Sequence, residues 1–338
     1  MDCVNKITDL TNTLKIIARS RVHLLKSFTS ASANCYVKRD DELGFGISGS
    51  KLRKYSSLLP YLVEQSCQEA VIIGSAYSNH VLGITQLLIE NNIQPTLFVL
   101  GNADDKRQGN LLLTSLLVPD SQIHWIARKD WTHVEIKAAE YAQGNSKKTI
   151  VIPEGAYMPA ALSGALTLSL DILENEKQLQ EDFQHIFIDA GTGLMAIAVI
   201  LAFAWLRKKA QIHVLLLADT KDEFKRKLQE FQLSFEQLVK DKLDEQVVSN
   251  QFKLHLPTQA ASFGSINTTV FQTIKEIARS EGFFTDPIYS AKLFFEAKKI
   301  IQENFLGGNI LIIHSGGALT LAGFQEQLSK EVILHRLD

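Results

Sequence analysis

The residue of this chain best placed for covalent chemistry is a lysine that follows a small, glycine-containing turn. In Ser48-Gly49-Ser50-Lys51 the turn precedes apolar residues at helical spacing, so Lys51 is predicted to open a helix. Small neighbours let another group approach its amine closely, and the positive end of the helix dipole disfavours a further cation there. An amine with a lowered pKa in this position suits Schiff-base chemistry with a carbonyl cofactor, although the pattern alone is also that of an ordinary solvated lysine.

A second glycine-containing turn lies between an apolar strand and an apolar helix, and it is predicted to bind phosphate. It consists of Ala190, Gly191, Thr192, Gly193 and Leu194. Free backbone N–H groups at a helix start favour an anion, and the glycines let that anion come close. Gly191, Gly193 and Ala196 also have the spacing of a dinucleotide-binding fingerprint. Asp219, at the end of the next predicted strand, stands where such a site has its ribose-binding acid. This turn alone therefore leaves open a cofactor with one phosphate, a nicotinamide cofactor and a purely structural turn.

Three further stretches place polar side chains where predicted strands end or helices begin. Ser78-Asn79-His80 would present a hydroxyl, an amide and an imidazole at a helix start, where Ser78 or Asn79 could also be a simple N-cap. Tyr289 follows a proline turn and could equally be a packed core residue, and Ser315 follows an apolar strand. The histidines show no metal-ligand spacing, and the sequence contains neither a serine elbow nor a triphosphate loop.

The composition argues against several classes of protein. A hydrophobic content of 46% with 21% charged residues is typical of a soluble globular chain, and 338 residues suffice for one large or two modest domains. A formal charge of -2 offers no basic field for nucleic acid. Cys3, Cys35 and Cys67 form no paired motif, which fits a reducing cytosol. The longest apolar run, residues 194–206, is too short to cross a bilayer, and the first residues lack the apolar core of a signal peptide.

The elements that must position these side chains alternate along the chain as strand and helix. Continuous apolar strands between helices are typical of parallel sheets covered on both faces, in which ligands bind at the carboxyl ends of the strands. The predicted fold class is therefore α/β with open, mostly parallel sheets. Strands are predicted at Cys35–Lys38, Ala70–Gly74, Thr96–Gly101, Ile123–Ile126, Thr149–Pro153, His185–Asp189, Ile212–Leu217 and Asn309–Ile313. Helices are predicted at Ile7–Arg19, from Lys51, at Val81–Asn91, Gln108–Leu117, Val134–Gln143, Ala161–Leu179, from Leu194, and at Lys221–Leu243, Ile266–Arg279 and Tyr289–Glu303.

Taken in order, the candidate stretches resemble the pyridoxal-phosphate family that contains 1-aminocyclopropane-1-carboxylate deaminase and D-cysteine desulfhydrase. The matching segments are Lys38-Arg39-Asp40-Asp41, Gly49-Ser50-Lys51-Leu52-Arg53-Lys54, Ser78-Asn79-His80, Pro153-Glu154-Gly155, Gly191-Thr192-Gly193, Asp286-Pro287-Ile288-Tyr289 and His314-Ser315-Gly316-Gly317. Each segment is weak alone, and their order makes the set specific. The resemblance implies a tryptophan-synthase-β-like fold with the cofactor between two α/β domains. Residues 1–52 and 153–338 would form the larger, cofactor-binding domain, and residues 53–152 the smaller one.

The resemblance also implies a role for each candidate residue. Lys51 would bind pyridoxal 5'-phosphate covalently and later move the Cα proton of the substrate. Asn79 would hydrogen-bond the phenolic oxygen of the cofactor, the glycine turn would hold its phosphate, and Ser315 would lie in reach of its pyridine nitrogen. Ser78 would hold the substrate carboxylate or act in proton transfer, and Tyr289 would be a catalytic acid, base or nucleophile.

Three positions depart from the family pattern and bear on the substrate. Ring-opening deaminases have a glutamate directly after the tyrosine, close to the pyridine nitrogen, whereas this chain has Ser290, which is closer to the desulfhydrase pattern. Loss of a carboxylate partner weakens the electron sink, so Ser290 modestly favours α,β-elimination over opening of a cyclopropane ring. Phe263 stands where a second active-site tyrosine is usual, and Ser50 stands where asparagine is usual.

The predicted activity is α,β-elimination from a small amino acid, of the D-cysteine desulfhydrase type, giving a 2-oxo acid and ammonia. The alternatives are a 1-aminocyclopropane-1-carboxylate deaminase and a cofactor-binding protein that has lost turnover, which the three departures motivate. A nicotinamide enzyme would leave Lys51 and Ser315 without a role. The family implies a homodimer, and the composition predicts a cytoplasmic protein without nucleic acid, membrane or metal among its partners.

Overall fold

The computed structural model describes residues 3–11 and 18–333, which form two sheets. Their strands are β1 (Val22–Leu24), β2 (Ala33–Lys38), β3 (Glu69–Ser75), β4 (Gln94–Leu100), β5 (Ile123–Ile126), β6 (Thr149–Ile152), β7 (His185–Ala190), β8 (Gln211–Leu216), β9 (Phe252–His255) and β10 (Gly308–Ile313). Sheet A has the order β1-β2-β10-β7-β8-β9, and sheet B has the order β5-β4-β3-β6. Among the described strands, every pairing is parallel except that of β1 with β2.

The predicted alternation of strand and helix is confirmed, and so is the α/β fold class. The helices of the described residues are α1 (Cys3–Thr11), α2 (Lys51–Glu64), α3 (Asn79–Glu90), α4 (Gly109–Leu117), α5 (Val134–Gly144), α6 (Leu162–Leu179), α7 (Leu194–Trp205), α8 (Lys221–Val239), α9 (Glu245–Asn250), α10 (Thr268–Glu281), α11 (Ser290–Glu303) and α12 (Gln325–Ile333). Helix α10 ends at Gly282, the stop that the sequence predicts, with a φ of +78°.

Some elements differ from the prediction for local reasons. Helix α8 ends at Val239 rather than Leu243 because Lys240 takes a left-handed conformation with a φ of +50°. The elements β1, β9, α9 and α12 are not predicted from the sequence, because their short or half-exposed segments carry little apolar signal. The structure begins the predicted helix Ile7–Arg19 earlier, as α1, and residues 12–17 lie outside the described part of the chain.

The main core lies between the two sheets and is built around α7. Eleven of the residues of this helix are buried, which its uniformly apolar sequence predicts. The inner faces of sheets A and B, with α2, α3 and α6, pack into the same apolar cluster. Among the described residues, no helix combines the length and the apolarity that crossing a membrane requires. All strands of sheet B fall within residues 69–152, while the predicted division at residues 52 and 153 stays a prediction.

A buried network of charges fixes the start of α2. Arg53 is fully buried and donates to both oxygens of Asp40 at 2.7 Å and to Asp171 at 2.6 Å. Lys38 also pairs with Asp171 at 2.7 Å. These contacts join α2 to the turn after β2 and to α6, so the helix that carries Lys51 is held from two sides. Removal of one partner would leave a buried charge uncompensated, which makes the network a strong constraint.

Candidate active site

The turn before Lys51 is held against the end of β10. The backbone N–H of Ser50 donates to the carbonyl of Ser315 over 2.9 Å. Gly49 has a φ of +56°, and a Cβ at this position would lie 2.3 Å from the same carbonyl oxygen. Only glycine meets both conditions without strain. The small residues that the sequence analysis singled out therefore bring the start of α2 against the segment that carries Ser315.

The Lys51 ammonium lies over the ring of Tyr289, with 5.7 Å between Nζ and the ring centroid. Burial lowers the pKa of Lys51, and the charges of Asp189 and Asp286 raise it only in part. A lowered pKa makes more of the neutral, nucleophilic amine available at ordinary pH. The environment thus favours the interpretation of Lys51 as a reactive amine over that of a solvated surface lysine.

The predicted phosphate turn opens α7 and leaves the helix start uncapped by any side chain. Gly193 is the N-cap residue, with a φ of +90°. The first N–H groups of a helix have no partner within the helix, so they can hold an anion here. A Cβ at Gly191 would lie 3.1 Å from Cε1 of Tyr289, which places the turn directly against the ring next to Lys51. Ala190 and Leu194 are buried on either side.

A second lysine, to which the sequence patterns assign no role, reaches the same region. Lys54 is buried, and its Nζ donates to the carbonyl of Gly155. Gly155 in turn packs against Thr192 of the phosphate turn, since a Cβ there would lie 2.5 Å from the threonine Oγ1. Burial and then the charge of Lys51 lower the pKa of Lys54 to about 7. The spacing of three residues, which places both amines on one helix face, is the signal that could have found it.

Asn79 is buried, and its amide is oriented by two other side chains. Asn110 on α4 donates from Nδ2 to the Asn79 Oδ1 over 2.7 Å, and Thr320 donates from Oγ1 to the same oxygen over 3.0 Å. Since both acceptor sites of the oxygen are used, Nδ2 of Asn79 is the end left for another partner. A Cβ at Gly317 would lie 2.9 Å from this nitrogen, so the glycine keeps space in front of it.

The helix that carries Asn110 and the 3₁₀ helix that carries Thr320 (Ala318–Phe324) approach each other through glycines. A Cβ at Gly109 would lie 3.0 Å from the backbone nitrogen of Gly323. Gly109 also has a φ of +51°, which disfavours any other residue. The hydrogen bonds of Asn79 to both elements depend on this close backbone contact.

Ser78 is the N-cap of α3, which is one of the two roles that the sequence predicts for it. Its Oγ accepts from the backbone N–H of His80 at 3.0 Å and of Val81 at 3.4 Å. The hydroxyl proton is not used in these bonds. The role of Ser78 toward a substrate stays a prediction.

Tyr289 and Ser290 begin α11, and Asp286 organises that helix start. The buried carboxylate of Asp286 accepts from the backbone N–H groups of Tyr289 and Ser290, each at 2.9 Å. Oγ of Ser290 donates to Asp286 at 2.7 Å and accepts from the backbone N–H of Asp286 at 2.7 Å. Ser290 is therefore occupied in the helix cap. Burial, with the charges of Asp286 and Asp189, raises the pKa of Tyr289 and keeps its hydroxyl protonated.

Asp189 is a carboxylate at this site that the sequence analysis left within a strand. It is the last residue but one of β7, and its Oδ1 is buried without a hydrogen-bond partner among the described residues. Burial raises the pKa of Asp189 to about 6, although Ser315 and Lys51 act in the opposite direction. An apolar strand that ends in an acidic residue one position before a phosphate-type turn is the signal that could have found it.

The remaining predicted positions fall at the rim or in the turns. Phe263 lies in the loop before α10, is about half exposed at 55%, and meets the Tyr289 ring edge-on at 6.1 Å between centroids. Ser50 is buried and its side chain makes no cap on α2. Lys51 lies over Tyr289, Tyr289 packs against Gly191, and Ser50 is bonded to Ser315, so residues from four separate segments meet at the carboxyl ends of the strands.

Solved structures and curated relatives place this arrangement in a class. A structure described as an ACC deaminase homologue superimposes with a TM-score of 0.83 at 22% identity, over 96% of this chain and 99% of that one. A bifunctional D-cysteine desulfhydrase/1-aminocyclopropane-1-carboxylate deaminase from Arabidopsis thaliana is 26% identical over 87% of this chain and 75% of its own length. A 1-aminocyclopropane-1-carboxylate deaminase from Rhizobium leguminosarum is 25% identical, over 89% and 91% respectively. The fold is that of the fold type II pyridoxal-phosphate enzymes.

The family model described as pyridoxal-phosphate dependent enzyme matches residues 15–316, nearly the whole chain. The chain belongs to this family and uses pyridoxal phosphate, as the sequence resemblance implied. The residues present fit that group. An amine with a lowered pKa stands at Lys51, an uncapped helix start is ready for a phosphate, and Nδ2 of Asn79 is left as a donor.

Proposed function

We propose that this enzyme removes a β-leaving group from a small amino acid, with D-cysteine as the leading substrate. The observation that carries the proposal is the position of the Lys51 amine, which lies over the Tyr289 ring while that ring packs against Gly191 of the phosphate turn. The base, a protonated hydroxyl and a phosphate-holding turn thus meet at one place. The overall reaction would consume D-cysteine and water and release pyruvate, hydrogen sulfide and ammonia.

Each group of the chain has a proposed task in this reaction. The phosphate turn and Lys54 would hold the cofactor phosphate, and Asn79 would donate to its phenolic oxygen. Bound in this way, the cofactor supplies the electron sink for charge that develops at the substrate Cα. Lys51 would take up the Cα proton, since its lowered pKa makes the neutral amine more readily available.

Tyr289 is the proposed acid for the leaving group. Its raised pKa means that the hydroxyl holds its proton over the physiological range, so it is able to donate but is a poor base. Ser78 would hold the substrate carboxylate with the hydroxyl proton that the helix cap does not use. Phe263, beside Tyr289, would form an apolar rim that limits water near the reacting atoms.

Opening of a cyclopropane ring is the second candidate, and one observation favours it. Asp189, which directly precedes the phosphate turn, would supply a carboxylate at the site in place of the one that is absent at position 290. The Arabidopsis relative carries both activities in its name. A protein that binds the cofactor without turnover is the third candidate, motivated by Ser50, Phe263 and Ser290.

Three broader predictions belong to the same proposal. We infer a cofactor-binding domain formed by residues 1–52 and 153–338 and a smaller domain formed by residues 53–152. We also infer a homodimer and a cytoplasmic location, which the buried free thiols of Cys35 and Cys67 suit. Size-exclusion chromatography with light scattering would test the assembly, and a mass near that of one chain would contradict it.

The proposal is tested by spectra and products. The purified protein is expected to show a visible cofactor band that is lost in Lys51→Ala and kept in Lys209→Ala, a control at an exposed lysine after α7. D-Cysteine should yield pyruvate and sulfide, whereas 1-aminocyclopropane-1-carboxylate should yield 2-oxobutyrate and ammonia if ring opening is the activity. An unchanged band in Lys51→Ala would remove the lysine from the mechanism. A band without product from a panel of D- and L-amino acids would support the third candidate.

A further inference from the structure

His314 lies in the segment that carries Ser315, yet the proposed function gives it no task. It is fully buried and directly follows β10. Its backbone N–H donates to the carbonyl of Lys38 over 2.9 Å, which continues the parallel pairing of β10 with β2. The sheet therefore fixes the backbone from which the imidazole projects.

Both nitrogens of the His314 ring have a backbone partner of fixed polarity. Nε2 lies 2.8 Å from the carbonyl oxygen of Phe284, which can only accept, so Nε2 carries a proton. The backbone N–H of Gly316, which can only donate, lies 3.2 Å from Nδ1, so Nδ1 is unprotonated. The two partners together specify one neutral tautomer of the ring.

The bond to Gly316 holds a peptide group that the turn before Lys51 also holds. The N–H of Gly316 and the carbonyl of Ser315 belong to the same peptide plane, and that carbonyl accepts from the backbone N–H of Ser50 over 2.9 Å. His314 and Ser50 thus hold this peptide from its two sides. Since the Ser315 side chain is attached to the peptide, its direction depends on both bonds.

The bond to Phe284 reaches the segment that leads to Tyr289. Phe284 lies two residues before Asp286, whose carboxylate accepts from the backbone N–H groups at the start of α11. One nitrogen of His314 is therefore bonded to the peptide beside Ser315, and the other is bonded to the segment that precedes the Tyr289 helix. The ring joins two parts of the site that lie far apart in the sequence.

The surroundings of the ring suit the neutral form. The rings of Phe283 and Phe294 lie against it, with their centroids at 5.3 and 5.7 Å. Asp41 places its Oδ2 3.9 Å from the protonated Nε2, and Arg39 pairs with that carboxylate at 2.7 Å. Burial lowers the pKa of His314, and the charge of Asp41 offsets this only in part. A doubly protonated ring would have no acceptor left for the backbone N–H at Nδ1.

We infer that His314, as a neutral ring with an unprotonated Nδ1, is a positioning residue that aligns Ser315 with the cofactor and ties it to the segment of Tyr289. The inference rests on the proposed function, which places Ser315 at the pyridine nitrogen and Tyr289 at the leaving group. The bond at Nδ1 serves cofactor binding, and the bond at Nε2 serves turnover. Because the two tasks belong to different nitrogens, they can be separated by substitution.

Two substitutions separate the bonds, because asparagine places a polar atom near the position of Nδ1 and glutamine places one near that of Nε2. His314→Asn keeps an acceptor for Gly316 and should bind pyridoxal phosphate like the wild type, with kcat for D-cysteine about tenfold lower. His314→Gln keeps the donor to Phe284 and should bind the cofactor about tenfold more weakly, the size for a buried donor left without its partner. Fluorescence titration of the cofactor-free protein and initial rates of pyruvate release at saturating cofactor measure the two effects.

His213, a buried histidine within β8, supplies the matched control. His213→Asn and His213→Gln should leave the cofactor affinity and kcat unchanged. Equal cofactor affinities of His314→Asn and His314→Gln, or a weaker affinity of His314→Asn, would overturn the inference. The ring would then have a merely structural role.

A measurement on the wild type keeps the inference testable if a variant does not fold. In protein labelled with ¹⁵N-histidine, Nδ1 of His314 should show the chemical shift of an unprotonated nitrogen at neutral pH, and Nε2 that of a protonated one. The reverse tautomer or a doubly protonated ring would overturn the inference. Failure of the proposed function would look different, since D-cysteine would then give no product in the wild type, while the tautomer and the cofactor affinities still report on His314.

Discussion

Asn110 donates a hydrogen bond of 2.7 Å from its Nδ2 to Oδ1 of Asn79, and this bond, with the one from Thr320, decides which end of the Asn79 amide faces the site. Without these bonds the amide could rotate and present its oxygen. An oxygen would repel the phenolic oxygen of the cofactor, whereas the nitrogen donates to it. A residue on α4 therefore controls a contact that it does not itself make.

We expect Asn110→Ala to weaken binding of pyridoxal phosphate roughly fivefold, which corresponds to the net value of about 1 kcal/mol for one hydrogen bond. Fluorescence titration of the cofactor-free protein measures this change. Asn91→Ala, an exposed asparagine at the end of α3, should leave the affinity unchanged. Equal affinities of Asn110→Ala and wild type would show that the bond from Asn110 is not needed to orient Asn79.

Lys54→Met should weaken binding of pyridoxal phosphate about tenfold to a hundredfold, the range for a hydrogen bond to a charged group. Binding of pyridoxal, which has no phosphate, should change little. Lys54→Arg keeps the charge, so its affinity for pyridoxal phosphate should lie between those of the wild type and Lys54→Met. If Lys54→Met loses the same factor for pyridoxal, Lys54 does not act on the phosphate.

Affinity for the cofactor should also depend on pH through Lys54. Its pKa is about 7 in the free protein, so about half of it is neutral at pH 7 and most of it at pH 8. A phosphate dianion favours the ammonium form, and binding must therefore take up a proton above pH 7. The dissociation constant is expected to rise between pH 7 and 9 in the wild type and not in Lys54→Met. Calorimetry in buffers of different ionisation enthalpy would detect the proton uptake.

Arg53→Met should destabilise the protein by about 3–5 kcal/mol, because Asp40 and Asp171 would lose a buried cation. Arg21→Ala, which breaks an exposed pair with Glu42, should cost no more than about 1 kcal/mol. Urea unfolding measures both. A cost of Arg53→Met similar to that of Arg21→Ala would mean that the network contributes little.

The same network predicts loss of stability in acid. Burial favours the protonated form of Asp40, but the charge and hydrogen bonds of Arg53 outweigh it and lower the pKa of Asp40. Because this folded-state pKa lies below the unfolded value of about 3.9, Asp40 stabilises the protein above that pH. The contribution is lost as the pH falls through the folded-state pKa. Unfolding followed by circular dichroism between pH 5 and 2 checks the direction, and stability that rises in acid would contradict it.

Gly49→Ala should reduce both stability and cofactor binding. The new Cβ would meet the Ser315 carbonyl at 2.3 Å in a conformation with a φ of +56°, and such strain costs on the order of 1–3 kcal/mol. Gly144→Ala is the matched control, since nothing lies within 4 Å of its Cβ and helix propensity favours alanine there. The contrast between the two in thermal unfolding and in cofactor affinity is the test. Equal behaviour would show that the turn is not constrained.

The fold could be predicted from sequence because its strands are continuous apolar runs that alternate with helices, which is typical of parallel sheets covered on both faces. The glycine turns were found because glycine is visible where backbones approach or where φ is positive, as at Gly49 and Gly193. Short edge elements such as β1 and β9 were missed because pairing partners, not propensity, define them.

The electrostatic part of the site could not be predicted in the same way. The pKa values of Lys54 and Asp189 depend on burial and on neighbours distant in sequence, so their residue types alone carry no signal. At Ser290 the residue type does carry a signal, but the signal misleads. A serine where the family has glutamate suggests a change near the cofactor ring, whereas the Ser290 hydroxyl is bonded to Asp286 in the cap of α11.

The contact of Gly109 with Gly323 has a consequence for the tolerance of this cleft to change. The two backbones are in contact there, with 3.0 Å between the position of a Gly109 Cβ and the Gly323 nitrogen. A larger residue could therefore not be accommodated by a change of side-chain rotamer. The width of the cleft is consequently set by main-chain geometry. Substitutions at the exposed rim around Phe263 are therefore expected to change which amino acid is accepted without moving the residues proposed to hold the cofactor.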